Sequence, residues 1–229
     1  MRKIAVWGGA LLCSLCVMSA PRAEPVDVQI VLAIDVSSSV NWTEFGLQMR
    51  GYAEAFRDQE VHAAIEGGPV GRIAVSMTQW AGSGEQTTVL DWTVIGGPQD
   101  AEAFAERIDY LPRSYPFGGT DIAGALRHAA ALLGESPHTA PRQVIDVSGD
   151  GEVSVGGAVS SARDDVVASG ITINGLPILN ERADLGRYYS RNVIGGVGAF
   201  IEEADDFKDF SRAIASKLAR EIKGIWYGV

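Results

Sequence analysis

The chain has 229 residues, of which 46% are hydrophobic and 21% charged, so it is long enough to fold around one sizeable core. Nothing in this composition is typical of a fibrous or disordered protein. The formal net charge of −10 at pH 7 makes a polyanion an unfavourable partner. We therefore expect one globular domain that does not bind nucleic acid.

The first residues have the pattern of a signal peptide. Two basic residues at positions 2–3 precede a mostly apolar run over residues 4–18, and small residues follow. This run falls short of the roughly 20 residues that span a bilayer, so a retained membrane anchor is the less favoured alternative. We predict a signal peptide over residues 1–23, with cleavage after Ala20 as the other option, and a mature domain over residues 24–229. The mature protein would be secreted or periplasmic, without stable membrane insertion.

Removal of the signal peptide would change two properties of the chain. Cys13 and Cys16 both lie within it, so the mature domain would form no disulfide and would rely on its core. Arg2, Lys3 and Arg22 would also leave, which changes the formal net charge from −10 to −13.

The first predicted element is a buried parallel strand over residues 28–34, because this stretch is almost wholly apolar and rich in β-branched residues. A polar loop begins at Asp35. Asn41 and Glu44 then have the spacing of a capping box, followed by apolar residues at helical intervals. The first unit is therefore strand, loop, helix.

Two strands are predicted next, over residues 73–80 and 87–94, with a short glycine-containing turn between them. They are expected to be antiparallel, because a parallel crossover needs about a dozen residues or more. A helix from Pro98, a helix from about Thr120 and a strand over residues 144–148 follow.

The last third of the chain is predicted to contain a helix around residues 156–169, a strand over 171–176, another strand within 193–201, and a final helix capped by Asp205. Strands that alternate with helices favour an α/β fold. We predict a doubly wound, mostly parallel sheet with one antiparallel edge strand and helices on both faces.

Three polar clusters are predicted beyond the carboxyl ends of strands, which is the edge where open parallel sheets bind ligands. They are DVSSS at residues 35–39, GGTD at 118–121 and SGDG at 148–151. Oxygen ligands without histidine or cysteine suit a hard cation, Mg²⁺ first, with Mn²⁺ or Ca²⁺ as alternatives. Each cluster alone could be a turn or a helix cap, but their coincidence on one edge predicts a metal site. The predicted metal-binding residues are Asp35, Ser37, Ser39, Thr120 and Asp150.

These motifs, in this order, resemble the metal-ion-dependent adhesion site of von Willebrand factor A (VWA) domains, over nearly all of residues 26–222. The resemblance implies that Ser37 and Ser39 ligate the metal directly, Thr120 directly or through water, and the two aspartates largely through water. With hydroxyls nearest to it, the cation would keep much of its electrophilicity and could accept an acidic group from a partner.

The chain also resembles, more narrowly, a family of bacterial exported proteins of unassigned function that are built on this domain. The segments that carry this resemblance are VLAIDVSSSV, GGTDI, IDVSGDG and GVGAF. It implies the fold and the site, but it supplies no physiological role.

Two regions are candidates for contact with a partner protein. The candidate residues are Tyr115, Phe117, Arg182, Arg187 and Tyr188. The first two precede the GGTD cluster and could form an apolar rim or pack into the core. The other three follow the fifth strand. An arginine there could form an ion pair with an acidic ligand, or the segment could be a solvated connection.

Three other acidic residues are left out of the predicted ligand set. Asp121 is expected to favour the positive end of a helix dipole, and Glu152 lies near the site without a clear role. Asp146 lies inside the fourth strand, roughly 13 Å from Asp150, so we expect it to be a structural acid.

These residues favour an exported, metal-dependent binding or assembly module, whose cation recruits an acidic group of a partner protein. The alternative is an Mg²⁺-dependent phosphohydrolase resembling the haloacid dehalogenases, because Asp35 ends a first strand. Against it, Ser37 stands where that family has its second aspartate, and no convincing basic residue is available for a phosphate. A third possibility is that the metal only stabilises the fold. We find no catalytic constellation and expect no enzyme.

Overall fold

A computed structural model of the protein describes residues 23–224, so nearly all of the predicted signal peptide lies outside the described residues. Five strands form one sheet in the order β3-β2-β1-β4-β5, and only the β2–β3 pair is antiparallel. The strands are β1 (Val28–Asp35), β2 (Ile73–Trp80), β3 (Gln86–Ile95), β4 (Gln143–Gly149) and β5 (Thr172–Pro177). The predicted mostly parallel sheet with an antiparallel edge strand is confirmed.

Helices connect these strands and cover both faces of the sheet. They are α1 (Trp42–Arg57), α2 (Gln59–Glu66), α3 (Pro98–Asp109), α4 (Ile122–Gly134), α5 (Val159–Ala168), α6 (Leu185–Tyr188) and α7 (Phe210–Lys223), and a π-helical turn (Tyr189–Val193) follows α6 directly. The predicted capping box at the start of α1 is present: Asn41 Oδ1 accepts from the backbone N–H of Glu44, and Glu44 Oε2 accepts from the backbone N–H of Asn41. Within residues 23–224, no helix is long and apolar enough to cross a membrane.

The core consists of two apolar layers, one on each face of the sheet. All eight residues of β1 are buried, with Ile30, Leu32 and Ile34 in one layer and Val31 and Ala33 in the other. The first layer is covered by α1, α2, α3 and α7, and the second by α4, α5 and α6. Side chains alternate between the two faces of a strand, and both faces of β1 are buried, so nearly every residue in this stretch is apolar.

The strand predicted within residues 193–201 is not formed. This segment makes only isolated bridges to β5, between Ile173 and Gly195 and between Gly175 and Ile201. Gly196 and Gly198 between them have φ of 95° and 73°, outside the β region, so the chain cannot keep a continuous ladder.

The final helix begins later than predicted. It starts at Phe210 rather than directly after Asp205, so the prediction that Asp205 caps it was wrong. Asp206 accepts hydrogen bonds from the backbone N–H groups of Lys208 and Asp209, at 2.7 and 3.0 Å. This side-chain turn satisfies the backbone donors locally and delays the helix.

A buried ion cluster joins α7 to the sheet. Lys217 Nζ lies 2.6 Å from Asp146 Oδ1 and 2.5 Å from Glu221 Oε1, and the side chains of Lys217 and Asp146 are fully buried. Asn174 Nδ2 donates to Glu221 Oε1 at 2.8 Å. Burial and the charge of Asp146 raise the pKa of Glu221 to about 8. Asp146 is therefore a structural acid, as its position inside β4 indicated, and it acts through an ion pair.

Candidate metal centre

The candidate site lies at the carboxyl ends of β1 and β4, where the strand order reverses. The chain passes from β1 to β2 on one side, and β4 pairs with β1 on the other, with Ile34 opposite Ser148. The next residues along each strand are Asp35 and the Gly149-Asp150 pair, so the fold brings both aspartates to one point. This is the edge at which doubly wound sheets bind ligands.

The loop after β1 connects the two aspartates through its serines. The backbone N–H of Ser37 donates to Asp35 Oδ1 at 2.7 Å, which fixes the turn. The hydroxyl oxygens of Ser37 and Ser39 are 3.1 Å apart, and Ser39 Oγ donates to Asp150 Oδ1 at 2.6 Å. Four of the five predicted metal-binding residues therefore form one continuous chain of contacts.

Thr120 is brought to the same point by paired hydrogen bonds between loops. Ser38 N–H donates to the carbonyl of Gly118 at 3.1 Å, and Gly118 N–H donates to Ser38 Oγ at 2.9 Å. Thr120 N–H donates to Ser154 Oγ at 2.8 Å. A β-carbon placed on Gly151, the residue after Asp150, would lie 3.8 Å from Thr120 Oγ1. The structure thus gathers all five predicted residues, although they come from three separate loops.

The glycines before Thr120 are required by this geometry. Gly118 has a φ of 144°, and a β-carbon there would lie 3.1 Å from the backbone nitrogen of Gly82. A β-carbon on Gly119 would lie 2.6 Å from Val155 Cγ2. Both contacts are closer than ordinary side-chain packing allows, so only glycine lets the loops approach this closely.

Three buried oxygen atoms at the site have no hydrogen-bond partner among the described residues. They are Asp35 Oδ2, Asp150 Oδ2 and Tyr189 Oη. A β-carbon placed on Gly149 would lie 2.8 Å from both Asp35 Oδ2 and Tyr189 Oη, so these two atoms face the same point. Unpartnered buried polar atoms are costly, which indicates that a further group satisfies them.

The electrostatics of the two aspartates fit a site that holds a cation. Burial, and then the charge of Asp150, raise the pKa of Asp35 to about 7. Burial, and then the charges of Glu181 and Glu44, raise the pKa of Asp150. A cation held by these two carboxylates would favour their charged forms and so lower both pKa values.

The donor set fits a hard divalent cation. It contains only oxygen atoms, two carboxylates and the hydroxyls of Ser37, Ser39 and Thr120, and the phenol of Tyr189 lies beside Asp35. No group of three or more His, Cys, Asp and Glu side chains is placed to hold a metal in the part of the chain described here. A metal site at this edge therefore depends on hydroxyl oxygens beside the carboxylates.

Tyr189 was not among the predicted site residues, whereas its neighbour Tyr188 was predicted to contact a partner. The π-helical turn begins at Tyr189, whose side chain is fully buried under the site. Tyr188 is half-buried, and its hydroxyl accepts a hydrogen bond from Val153 N–H at 3.4 Å. Two adjacent tyrosines at an irregular turn carry no periodic signal that distinguishes the fully buried one from the half-buried one.

Arg113 is a second residue that sequence analysis missed. Its Nη2 donates to the carbonyl oxygens of Val36 and Ser37, both at 2.9 Å, and its Nε donates to Tyr115 O at 2.9 Å. The guanidinium also lies 5.2 Å from the ring centre of Trp42. Arg113 therefore connects the loop after β1 to the loop before α4, a long-range contact that no local motif predicts.

The predicted partner-contact residues differ in how they are placed. Phe117 is 77% exposed beside the site, whereas Tyr115 is half-buried against the core layer that contains α1. Arg182 is engaged in ion pairs with Glu152 at 3.1 Å and with Asp184 at 3.4 Å. Arg187 is exposed on α6. Phe117 is thus an exposed candidate directly before the GGTD cluster, and Arg182 is exposed but engaged in ion pairs.

The two acids near the site that were left out of the ligand set have other contacts. Asp121 is the N-cap of α4, and its Oδ1 accepts from Gly124 N–H at 2.9 Å. Glu152 pairs with Arg182. Neither carboxylate needs a metal to be satisfied.

Solved structures with the same fold include VWA proteins. Proximal thread matrix protein 1 from the mussel byssus is 15% identical with a TM-score of 0.64, covering 87% of this chain and 48% of that one. The pilus adhesin SpaC from Lactobacillus rhamnosus GG is 15% identical with a TM-score of 0.60, covering 86% and 30%. A von Willebrand factor type A protein from Catenulispora acidiphila is 16% identical with a TM-score of 0.57, covering 86% and 43%.

This chain therefore has the fold of VWA domains, and it spans about half the length of the mussel protein. The family model described as "Protein of unknown function (DUF1194)" matches residues 25–226, so the chain belongs to that family. In a comparison with curated proteins, no protein matches this sequence. One structure of the mussel protein is described as having a zinc-occupied MIDAS motif, that is, a metal-ion-dependent adhesion site.

Proposed function

We propose that this protein is an exported, metal-dependent binding module that recruits an acidic group of a partner protein. A divalent cation, Mg²⁺ in the first place, would be held by Asp35, Ser37, Ser39, Thr120 and Asp150. The observation that carries the proposal is that Asp35 and Asp150, each with a buried and unpartnered carboxylate oxygen, are connected through Ser37 and Ser39. When bound, such a cation supplies a Lewis-acid centre that can accept a carboxylate oxygen from another molecule.

The residues around the site have the contacts expected for holding a fixed set of oxygen atoms. Ser37 N–H orients Asp35, Ser39 orients Asp150, and Arg113 holds the carbonyl end of the loop. The fold already orders these groups before a partner binds. Binding therefore does not bear the entropy cost of ordering them, which favours tight binding.

Binding is favoured over catalysis by the chemistry at this point. A phosphohydrolase would need a free basic residue for the transferring phosphate, and the guanidinium of Arg113 is committed to backbone carbonyls. The residue two positions after Asp35 is Ser37, which is not an acid. Among the similar structures, one is named a matrix protein and another a pilus adhesin.

Calorimetric titration of the metal-free protein with Mg²⁺ and Mn²⁺ tests the site. Asp150→Asn should weaken binding at least tenfold, because Asp150 anchors Ser39 and contributes one of the unpartnered oxygens. Asp165→Asn, on an exposed position of α5, is the matched control and should bind like the wild type. Identical isotherms for the wild type and Asp150→Asn would refute the site assignment.

Capture of proteins from the native exported fraction, with and without chelator, tests the function. Proteins that bind the wild type only with metal, and that do not bind Asp150→Asn, would support it. Metal-dependent hydrolysis of p-nitrophenyl phosphate that is lost in Asp35→Asn would instead establish the phosphohydrolase alternative.

A further inference from the structure

The rim of the metal centre is apolar on one side. Large hydrophobic side chains with more than a third of their surface exposed are few in residues 23–224. They are Trp42, Val70, Tyr110, Phe117, Val153, Val155 and Val197. Three of these seven, Phe117, Val153 and Val155, lie in the loops that form the site, and Trp42 is the first residue of α1, directly after one of those loops. We call these four residues the apolar arc. Such a concentration around one point is typical of an interaction surface, whereas scattered exposed residues are not.

Three members of the apolar arc, Trp42, Phe117 and Val155, are held next to a metal-binding loop. Trp42 lies under the guanidinium of Arg113, which in turn binds the carbonyl of Ser37. Phe117 precedes Gly118, whose backbone is bonded to Ser38. Val155 packs so closely on Gly119 that no β-carbon would fit between them. Trp42 and Phe117 are 65% and 77% exposed, so much of each ring is available to a partner.

Acidic side chains lie on another side of the same centre. Glu44 accepts a hydrogen bond from Asn180 Nδ2 at 3.1 Å, which places it against the loop after β5. Glu181 is the next residue in that loop and is exposed. The charges of both residues reach Asp150. We call Glu44 and Glu181 the acidic arc; the nearby Glu152 is already paired with Arg182.

Sheet order separates Phe117 of the apolar arc from Glu181 of the acidic arc, whereas Trp42 and Glu44 both lie in the first turn of α1. The loop that carries Phe117 is bonded to the end of β2, through Ser114 N–H to Gln79 Oε1 at 2.7 Å and Asp121 N–H to Ala81 O at 2.8 Å. The loop that carries Glu181 follows β5. Because β1 and β4 stand between β2 and β5, the metal centre lies between Phe117 and Glu181.

We propose that the partner presents a single carboxylate with an aromatic or large apolar side chain on one side of it and a lysine or arginine on the other. The carboxylate would meet the cation, the apolar side chain would cover the apolar arc, and the basic side chain would face the acidic arc. A cluster of several acids would be repelled by Glu44 and Glu181, so a polyacidic segment is the wrong ligand. This inference rests on the proposed function.

Synthetic peptides of nine residues provide a direct test with the whole protein in Mg²⁺. The test peptide has one glutamate, with lysine two residues to one side and phenylalanine two residues to the other, and it is made in both chain directions. Three comparison peptides replace the phenylalanine by serine, the lysine by aspartate, or the glutamate by glutamine. Fluorescence anisotropy of a terminal dye measures each dissociation constant, with and without chelator.

We expect the test peptide to bind in one direction, only with metal, and about tenfold more tightly than the peptide without phenylalanine, as for a typical interface anchor. Phe117→Ser should remove that difference, whereas Val197→Ser, an 80% exposed control beside the opposite end of β5, should not. Glu181→Gln should reduce the preference for lysine by up to about fivefold, the range of an exposed ion pair. Glu106→Gln on an exposed position of α3 is its control.

The outcomes separate the two proposals. Metal-dependent binding of every glutamate peptide with equal affinity would overturn the two-sided partner and leave the proposed function standing. Tight binding of Mn²⁺ without metal-dependent binding of any peptide would overturn both. Metal-dependent self-association of the protein in sedimentation experiments, without peptide, would assign this face to a second copy of the chain and would also overturn the inference.

Discussion

Asp35→Asn is expected to change stability in opposite directions with and without metal. Asp35 is fully buried, it faces the charge of Asp150, and its Oδ2 has no described partner. Its pKa is raised from 3.8 to about 7, and each pKa unit corresponds to about 1.4 kcal/mol. Keeping the carboxylate ionised at pH 8 without a cation therefore costs up to about 4 kcal/mol of folding free energy. The amide of asparagine carries no charge and can still accept the hydrogen bond from Ser37 N–H.

Urea unfolding at pH 8 measures this difference. In chelator, Asp35→Asn should be more stable than the wild type by about 1–4 kcal/mol, an upper range set by the raised pKa. In saturating Mg²⁺, the wild type should gain stability by mass action and overtake the variant. The control Asp165→Asn should be neutral in both conditions. Equal destabilisation of Asp35→Asn with and without metal would refute the view that the two carboxylates repel each other until a cation binds.

Three further predictions concern the backbone at the site and the ion cluster under α7. Gly149→Ala should lower Mn²⁺ affinity in calorimetry at least tenfold, since its β-carbon would lie 2.8 Å from Asp35 Oδ2; unchanged affinity would contradict this geometry. Lys217→Met should cost about 3–5 kcal/mol in urea unfolding, because it leaves Asp146 buried without its cation, and the double variant with Asp146→Asn should recover part of the loss. The pKa of Glu221 is raised from 4.5 to about 8, so between these pH values the native state binds more protons than the unfolded state. The free energy of unfolding should therefore fall as pH rises from 4.5 to 8, by up to about 1.4 kcal/mol per pH unit. Glu221→Gln should flatten that slope relative to the wild type, and an unchanged slope would place its cause elsewhere.

The parts of the fold that follow local patterns could be predicted from the sequence. Strand β1 is a continuous apolar run, and the capping box of α1 has a fixed spacing, so both were correctly placed. The three polar clusters were assigned to one sheet edge because parallel strands share their carboxyl ends. The structure brings those clusters together.

The remaining features depend on contacts that are distant in the sequence or on irregular backbone. Arg113 reaches Ser37 across 76 positions, and a single arginine in a loop gives no sign of such a contact. The inward position of Tyr189 follows from a π-helical turn, which has no clear sequence period. A strand was wrongly predicted within residues 193–201 because the apolar residues there were given more weight than the glycines. Gly196 and Gly198 adopt positive φ, which interrupts the extended backbone.

The hydrogen bond between Ser39 and Asp150 joins residues 111 positions apart, and Thr120 reaches the same point from a third loop. The oxygen set therefore comes into existence only when the strands have paired and the loops have closed. An unfolded chain has nothing comparable to offer a cation, so metal uptake would follow completion of the fold rather than guide its early steps. Metal occupancy would then serve as a readout of correct folding, and a misfolded copy would be unable to compete for partners.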